Sequence, residues 1–282
     1  MEVRNEILND YREHCYSKLV NEFGVNKVEE ADAIYLYQRF KCRIIPQKER
    51  VVFEALGFEI PEEYFSAYTN IKVDIQGGSD LKKYQSRKLK NLDYDDDMLS
   101  HWGIQHFHLG LNLEKDDYVS RTGELLFVYF SDSSAHILGL FSHGSWCDID
   151  LIEIIHRNWP EKMTIYALNR GMQSLTETDY KTLRKTNANA NIVVQDGTEY
   201  IYPGMGVVAS GGSVKAVINS SKLVYLFDGY FERISQSIDE ILNHSPESKE
   251  LPVITIGLEL SNQLRDFVFI VKETGFRFRI PS

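Results

Sequence analysis

The chain is short of positive charge. Its 31 Lys and Arg face 41 Asp and Glu, a formal net charge of −10 over 282 residues. Phosphate binding favours positive potential, so a nucleic-acid binder working through its overall field is disfavoured. Cysteine is scarce too. Cys15, Cys42 and Cys147 are odd in number and lack CxxC spacing, which speaks against a disulfide framework and a zinc ribbon. No run approaches the roughly 18 apolar residues of a membrane span. The opening "MEVRNEILNDYREHC" is charged throughout, with no apolar signal region behind it. No phosphate-binding P-loop, HExxH motif or internal repeat is found, and "GMGVVASGG" (204–212) reads as turns between strands. These absences lead us to expect a cytoplasmic protein without membrane contact and without a cofactor.

What is present is a foldable core. Hydrophobic residues make up 43% and aromatics 12%, enough apolar surface for a packed α+β protein rather than a disordered chain. Helical spacing is read at 4–23, closed by Gly24, and at 28–40; "KCRIIP" looks extended. "IPEEYFSAYTNI" resembles a short helix, and "KVDI" after it a strand. The middle alternates with strand period in "IQHFHLGL", "GELLFVYFS" and "AHILGLFSH", the last two joined by a polar hairpin turn. "IDLIEIIHRNW" is helical and ends at Pro160. Further on, a helix capped near Thr176 or Thr178, an amphipathic helix with Phe231, Ile234, Ile238 and Ile241, and a hairpin turning at 273–275 complete the pattern. The expected division is a mainly helical region over 1–95, a central antiparallel-sheet unit with a following helix over 96–162, and a C-terminal α+β module over 163–282.

Six of the eight histidines, His101, His106, His108, His136, His143 and His156, lie in the middle of the chain. His106 and His108 share one strand face because side chains alternate with period two. His143 ends a strand, where sites tend to sit. Three uses compete. They could bind a metal, with His101, His143, Asp148 or Asp150 completing the shell of a metal-dependent hydrolase. They could cleave a phosphodiester without metal: one imidazole takes a proton, another returns it, and Arg121 stabilises the charge on phosphorus. Ser120 and Tyr129 would add hydroxyls. Or they could be structural, on a non-enzymatic binding or regulatory protein.

A local basic run, "KKYQSRKLK" (82–90), places Lys82, Lys83, Arg87 and Lys88 as candidate nucleic-acid contacts, directly before the acidic "DYDDD". The alternative for this run is a solvated, self-neutralising face.

The stretch "HFHLG…YVSRTGELLFVYFSDSSAHILGLFSHGSW", within residues 104–146, resembles the core meander of RelE-type endoribonuclease toxins and the wider barnase- and colicin-like ribonucleases. That resemblance implies an arginine facing phosphate at Arg121, a catalytic residue at the end of the last strand at His143, and further proton-transfer groups at His106 and His108. It also implies RNA as substrate, a toxin or phage-defence role, and an antitoxin or inhibitor protein as partner. This chain is longer and more acidic than those toxins. Its flanking regions would then be additions for targeting, self-association into a homo-oligomer, or inhibitor binding.

Overall fold

A computed structural model describes residues 1–24, 28, 32–168, 174–260 and 267–280. In chain order the elements begin with β1 (Glu2–Asn5), α1 (Ile7–Phe23), α2 (Ala33–Arg43), β2 (Val51–Glu54), α3 (Glu62–Gln76), α4 (Asp97–Trp102) and β3 (Ile104–His108). Next come β4 (Glu124–Phe130), β5 (Ser134–Ser142), α5 (Asp150–Asn158), α6 (Pro160–Met163), β6 (Ala167–Leu168), α7 (Glu177–Lys185), β7 (Ile192–Val193) and β8 (Glu199–Tyr200). The chain closes with α8 (Val214–Gln236), α9 (Ile238–Leu242), α10 (Pro246–Lys249), β9 (Val253–Glu259), β10 (Val268–Val271) and β11 (Phe276–Phe278). The class is α+β, with mixed sheets.

Two compact units divide the chain: Met1–Gln38 with Ala216–Ser282, and Arg39–Lys215. Neither expected boundary, near 95 or near 162, is a limit of these units. The reason is strand pairing at long sequence distance. β1 pairs parallel with β9, Glu2 opposite Val253, so the first residues fold with the last. β2 pairs parallel with β5, Val51 opposite Ser134, so a stretch expected in the helical N-terminal region completes the central sheet.

In the first unit the sheet runs β1-β9-β10-β11, and β10 and β11 form the antiparallel hairpin expected around 273–275. α1 buries Ile7, Tyr11, Cys15, Leu19 and Phe23, one residue every four, so a single stripe faces the core. Its first expected turn is instead strand, since Arg4 and Asn5 lie in β1. α8 starts at Val214, well before the amphipathic stretch picked out by sequence, and ends before Ser237. Residues 29–31, within the expected second helix, lie outside the described residues. The "KC" of "KCRIIP" continues α2 to Arg43 rather than extending.

In the second unit the order is β2-β5-β4-β3, with the β3-β4-β5 meander antiparallel throughout. Both faces of this sheet are covered. On one, Ile104, Leu125, Phe127 and Tyr129 pack with Leu151, Ile152 and Ile155 of α5 and with Trp102 of α4. On the other, Phe107, Leu126, Val128 and Ile137 pack with Ala67, Tyr68, Ile71 and Ile75 of α3. "KVDI" is therefore not a strand: its Ile75 continues the i, i+4 apolar stripe of α3. Pro160 ends α5 and also opens α6 at its first turn, where its missing N–H costs nothing. α7 begins at a capping box formed by Thr176 and Asp179. Among the described residues, no helix is long and apolar enough to cross a membrane.

Candidate functional site at the end of the central sheet

All five residues of β3 are buried, so the strand has no wet face. The pleat puts Ile104, His106 and His108 on the α5 side, and Gln105 and Phe107 on the α3 side. His106 sits opposite Phe127 and His108 opposite Leu125, at the end of β3 nearest the finish of β5.

Three chain segments meet there. β3 delivers His108. Residues 109–122 leave the sheet and return through the Leu113–Val119 bridge and the Ser120 N–H bond to the Asn112 carbonyl. The neck is tight: a Cβ on Gly110 would lie 2.2 Å from the Ser120 carbonyl oxygen. The return places Thr122 and Arg121 beside His108. The Thr122 N–H donates to His108 Nδ1 at 3.3 Å, so in the neutral ring the proton sits on Nε2. The third segment is the exit of β5. Its His143 ring centroid lies 5.6 Å from that of His108, and Trp146 in the turn beyond meets His143 edge-on at 5.8 Å.

The three histidines differ in environment. His143 is exposed, as is Arg121. His108 is buried, and its pKa falls to about 4, chiefly through burial, with His106, His143 and Arg121 adding repulsion. His106 is buried against Trp146, ring centroids 4.8 Å apart. Its Nδ1 has no hydrogen-bond partner, and Asp96 Oδ2 lies 3.6 Å away, too long for a hydrogen bond. The carboxylate favours the imidazolium while burial opposes it, and burial dominates, so the pKa is lowered. His106 is thus a largely buried, neutral ring beneath Trp146.

The other residues named from sequence are dispersed. Tyr129 lies opposite Ile104, at the far end of β3 from His108, whereas Ser120 touches the neck at Gly110. His101 is buried in α4. His136 is held by Ser134 Oγ at 2.9 Å between the rings of Phe53 and Trp159. His156 bonds Tyr200 Oη at 2.7 Å. Asp148 and Asp150 do not join the pair, and among the described residues no group of three or more His, Cys, Asp or Glu could hold a metal ion.

The basic run forms two short 3-10 turns, Lys82–Tyr84 and Arg87–Lys90. Its charges are met locally, though not mainly by "DYDDD". Lys83 pairs with Asp74 at 2.8 Å, and Arg87 with Asp116 and Glu114 at 2.7 Å each. Lys82 lies over the Phe40 ring and Lys88 over Tyr94. Of the acidic run, Asp95 accepts both Arg39 nitrogens and Asp96 caps α4 through Leu99 N–H. Arg87 thereby ties the 3-10 turn to the excursion that carries Arg121.

Sequence reading passed over Thr122, which fixes the His108 tautomer, and Trp146, which roofs His106. Thr122 had a signal, since it is the residue between Arg121 and the glycine that opens β4. A scan of protein-family models, of curated proteins and of solved structures finds no match to this chain.

Proposed function

We propose that the protein is a metal-independent endoribonuclease whose site is the His108–His143–Arg121 cluster. The observation that carries this reading is the 5.6 Å approach of the His108 and His143 rings, from strands whose residues are 35 positions apart, beside Arg121. The long-range meeting of an exposed imidazole, a neutral imidazole and a guanidinium suits transesterification of RNA. In this reading His143 takes the proton from a ribose 2′-hydroxyl. The 2′-oxygen attacks phosphorus, the bond to the 5′-oxygen breaks, and His143 returns the proton to that oxygen. Arg121 faces the charge on the non-bridging oxygens. His108, with Nδ1 engaged by Thr122 and its pKa near 4, stays neutral and offers its Nε2–H as a donor rather than titrating. His106 supports Trp146 from below. Lys82, Lys83, Arg87 and Lys88 would contribute to RNA binding only as partly neutralised charges.

The resemblance of residues 104–146 to RelE-type and barnase-like ribonucleases supports a toxin or phage-defence effector acting in the cytoplasm, with an inhibitor protein as partner. The test is RNA cleavage by the purified chain with and without EDTA. Equal cleavage in both, lowered by about 10²-fold in His143→Ala and in Arg121→Ala, is expected. EDTA-sensitive cleavage, no cleavage, or unchanged rates in both variants would overturn the proposal. A binding or regulatory protein would then take its place.

A further inference from the structure

At the other end of the same sheet lies a cavity of about 350 Å³. It opens where β3 starts and where β4 turns into β5, so Gly103, Gln105, Tyr129 and the 131–132 turn line it. His108 and His143 are at the opposite end of β3 and take no part. In a protein with ten excess negative charges, this cavity is walled by four cations, Arg39, Arg43, Arg50 and Lys215, and by only two carboxylates, Asp95 and Asp132.

Both carboxylates are already paired, Asp95 with a cation of the same wall. Asp95 is held bidentate by Arg39, and Asp132 pairs with Lys48 at 2.8 Å. That leaves Arg43 and Arg50 without a carboxylate in hydrogen-bond contact. Arg43 is 3% exposed; its Nη1 donates to the carbonyls of Asn91 and Tyr94, while Nε and Nη2 have no partner. Arg50 is 7% exposed. Its Nη1 donates to the carbonyls of Pro46 and Lys48, both at 3.0 Å, and its Nε to Ser131 at 3.3 Å. Backbone carbonyls orient a guanidinium but do not neutralise it. Asp95 and Asp96 favour the charged Arg43, and Asp132 the charged Arg50, yet burial outweighs them, so a further anion in the cavity would stabilise both.

Behind Arg43 a void of about 10 Å³ is walled also by Gln85 and His106. It holds one water at most, so any larger anion must come from the main cavity. The remaining walls mix the Tyr129, Phe130 and Tyr166 rings with polar side chains, Ser100, Gln105 and Ser213 among them. Such walls suit a planar ring with polar edges. The volume is at the lower end of the range for small-ligand sites, which favours one phosphate over a chain of three.

We propose that this cavity binds a nucleoside monophosphate, with the phosphate toward Arg43 and Arg50 and the base against Tyr129 and Tyr166. Arginine presents paired donors that match phosphate oxygens, and Lys215, exposed at the rim, adds attraction on entry. The site is independent of the RNA-cleavage reading, since it shares no residue with it.

The experiment is calorimetric titration of the full chain with AMP, GMP, CMP and UMP, and with the nucleosides and inorganic phosphate separately. At least one monophosphate should bind about tenfold more tightly than either of its parts. Arg50→Gln should weaken that binding about tenfold. Because Arg50 is buried and its variant can misfold, Lys215→Glu serves as a second test on the surface, expected to weaken binding several-fold with the fold intact. No binding of any monophosphate, phosphate binding as tightly as the best nucleotide, or wild-type affinity in Lys215→Glu overturns the proposal.

Discussion

Mild acid should destabilise the 39–215 unit, and histidine burial sets the size of the effect. His101, His108 and His136 each fall from 6.5 to about 4, in every case first through burial. Their exposures are 3%, 4% and 1%. A folded-state pKa below the unfolded one means the unfolded chain binds the proton first. Stability is therefore complete above about pH 6.5 and is lost as pH falls toward 4, where the folded rings also protonate. At about pH 5.5 each ring costs the fold roughly 1.4 kcal/mol, so the three together cost roughly 4 kcal/mol. His106, also lowered, acts with the same sign. Asp97 and Asp148, whose carboxyls are raised by burial, take up protons early in the fold and soften the loss. A deficit of this size is a large part of a typical domain's 5–15 kcal/mol. Trp102, Trp146 and Trp159 are the chain's three tryptophans, and all lie in this unit, so a urea melt followed by tryptophan fluorescence reports it selectively. The unfolding free energy should drop by roughly 4 kcal/mol between about pH 7.5 and 5.5, with a slope approaching three protons. In His136→Phe the slope should fall by about one proton, since Ser134 Oγ keeps Ser131 Oγ as a partner. A flat pH profile, or a slope unchanged in that variant, refutes the reasoning.

Three further outcomes are expected. His106→Phe replaces a buried ring whose Nδ1 has no partner with an apolar ring of similar shape, so the unfolding free energy from a urea melt should hold or rise, by up to about 1–2 kcal/mol, with RNA cleavage retained. A 10²-fold loss of cleavage would instead put His106 in the chemistry. Gly110→Ala drives a Cβ into the Ser120 carbonyl and should cost about 3 kcal/mol or more, visible as loss of folded protein or, if folded, as faster hydrogen exchange at 110–122. Thr176→Ala removes one half of the α7 capping box and should cost about 1 kcal/mol by urea melt, leaving cleavage unchanged.

Local chemistry was legible in the sequence where it decides structure by itself. The Thr176 cap, the 273–275 turn and the β4–β5 hairpin follow from neighbouring residues, and so does the sharing of one face by His106 and His108. Pairing across more than 80 residues was not legible. β2 joins β5 and β1 joins β9, and short strands of four residues carry too little pattern to announce a partner. That is why the division into units differs from the one read along the chain.

Burial of the histidine face was hidden for a related reason. A strand written apolar-polar-apolar expects water on one side, but here α5 and the Trp146 turn cover the polar side. Imidazole tolerates this because it sheds its charge when desolvated, whereas lysine or glutamate at the same positions would hold a charge at neutral pH or need a larger shift to lose it. The same argument separates the histidines by role. A ring that burial keeps neutral can donate, accept and pack, but proton transfer near neutral pH calls for one that meets solvent. At this end of the sheet His143, where β5 runs out, is exposed, and the sequence had already marked it as a strand ending where sites tend to sit.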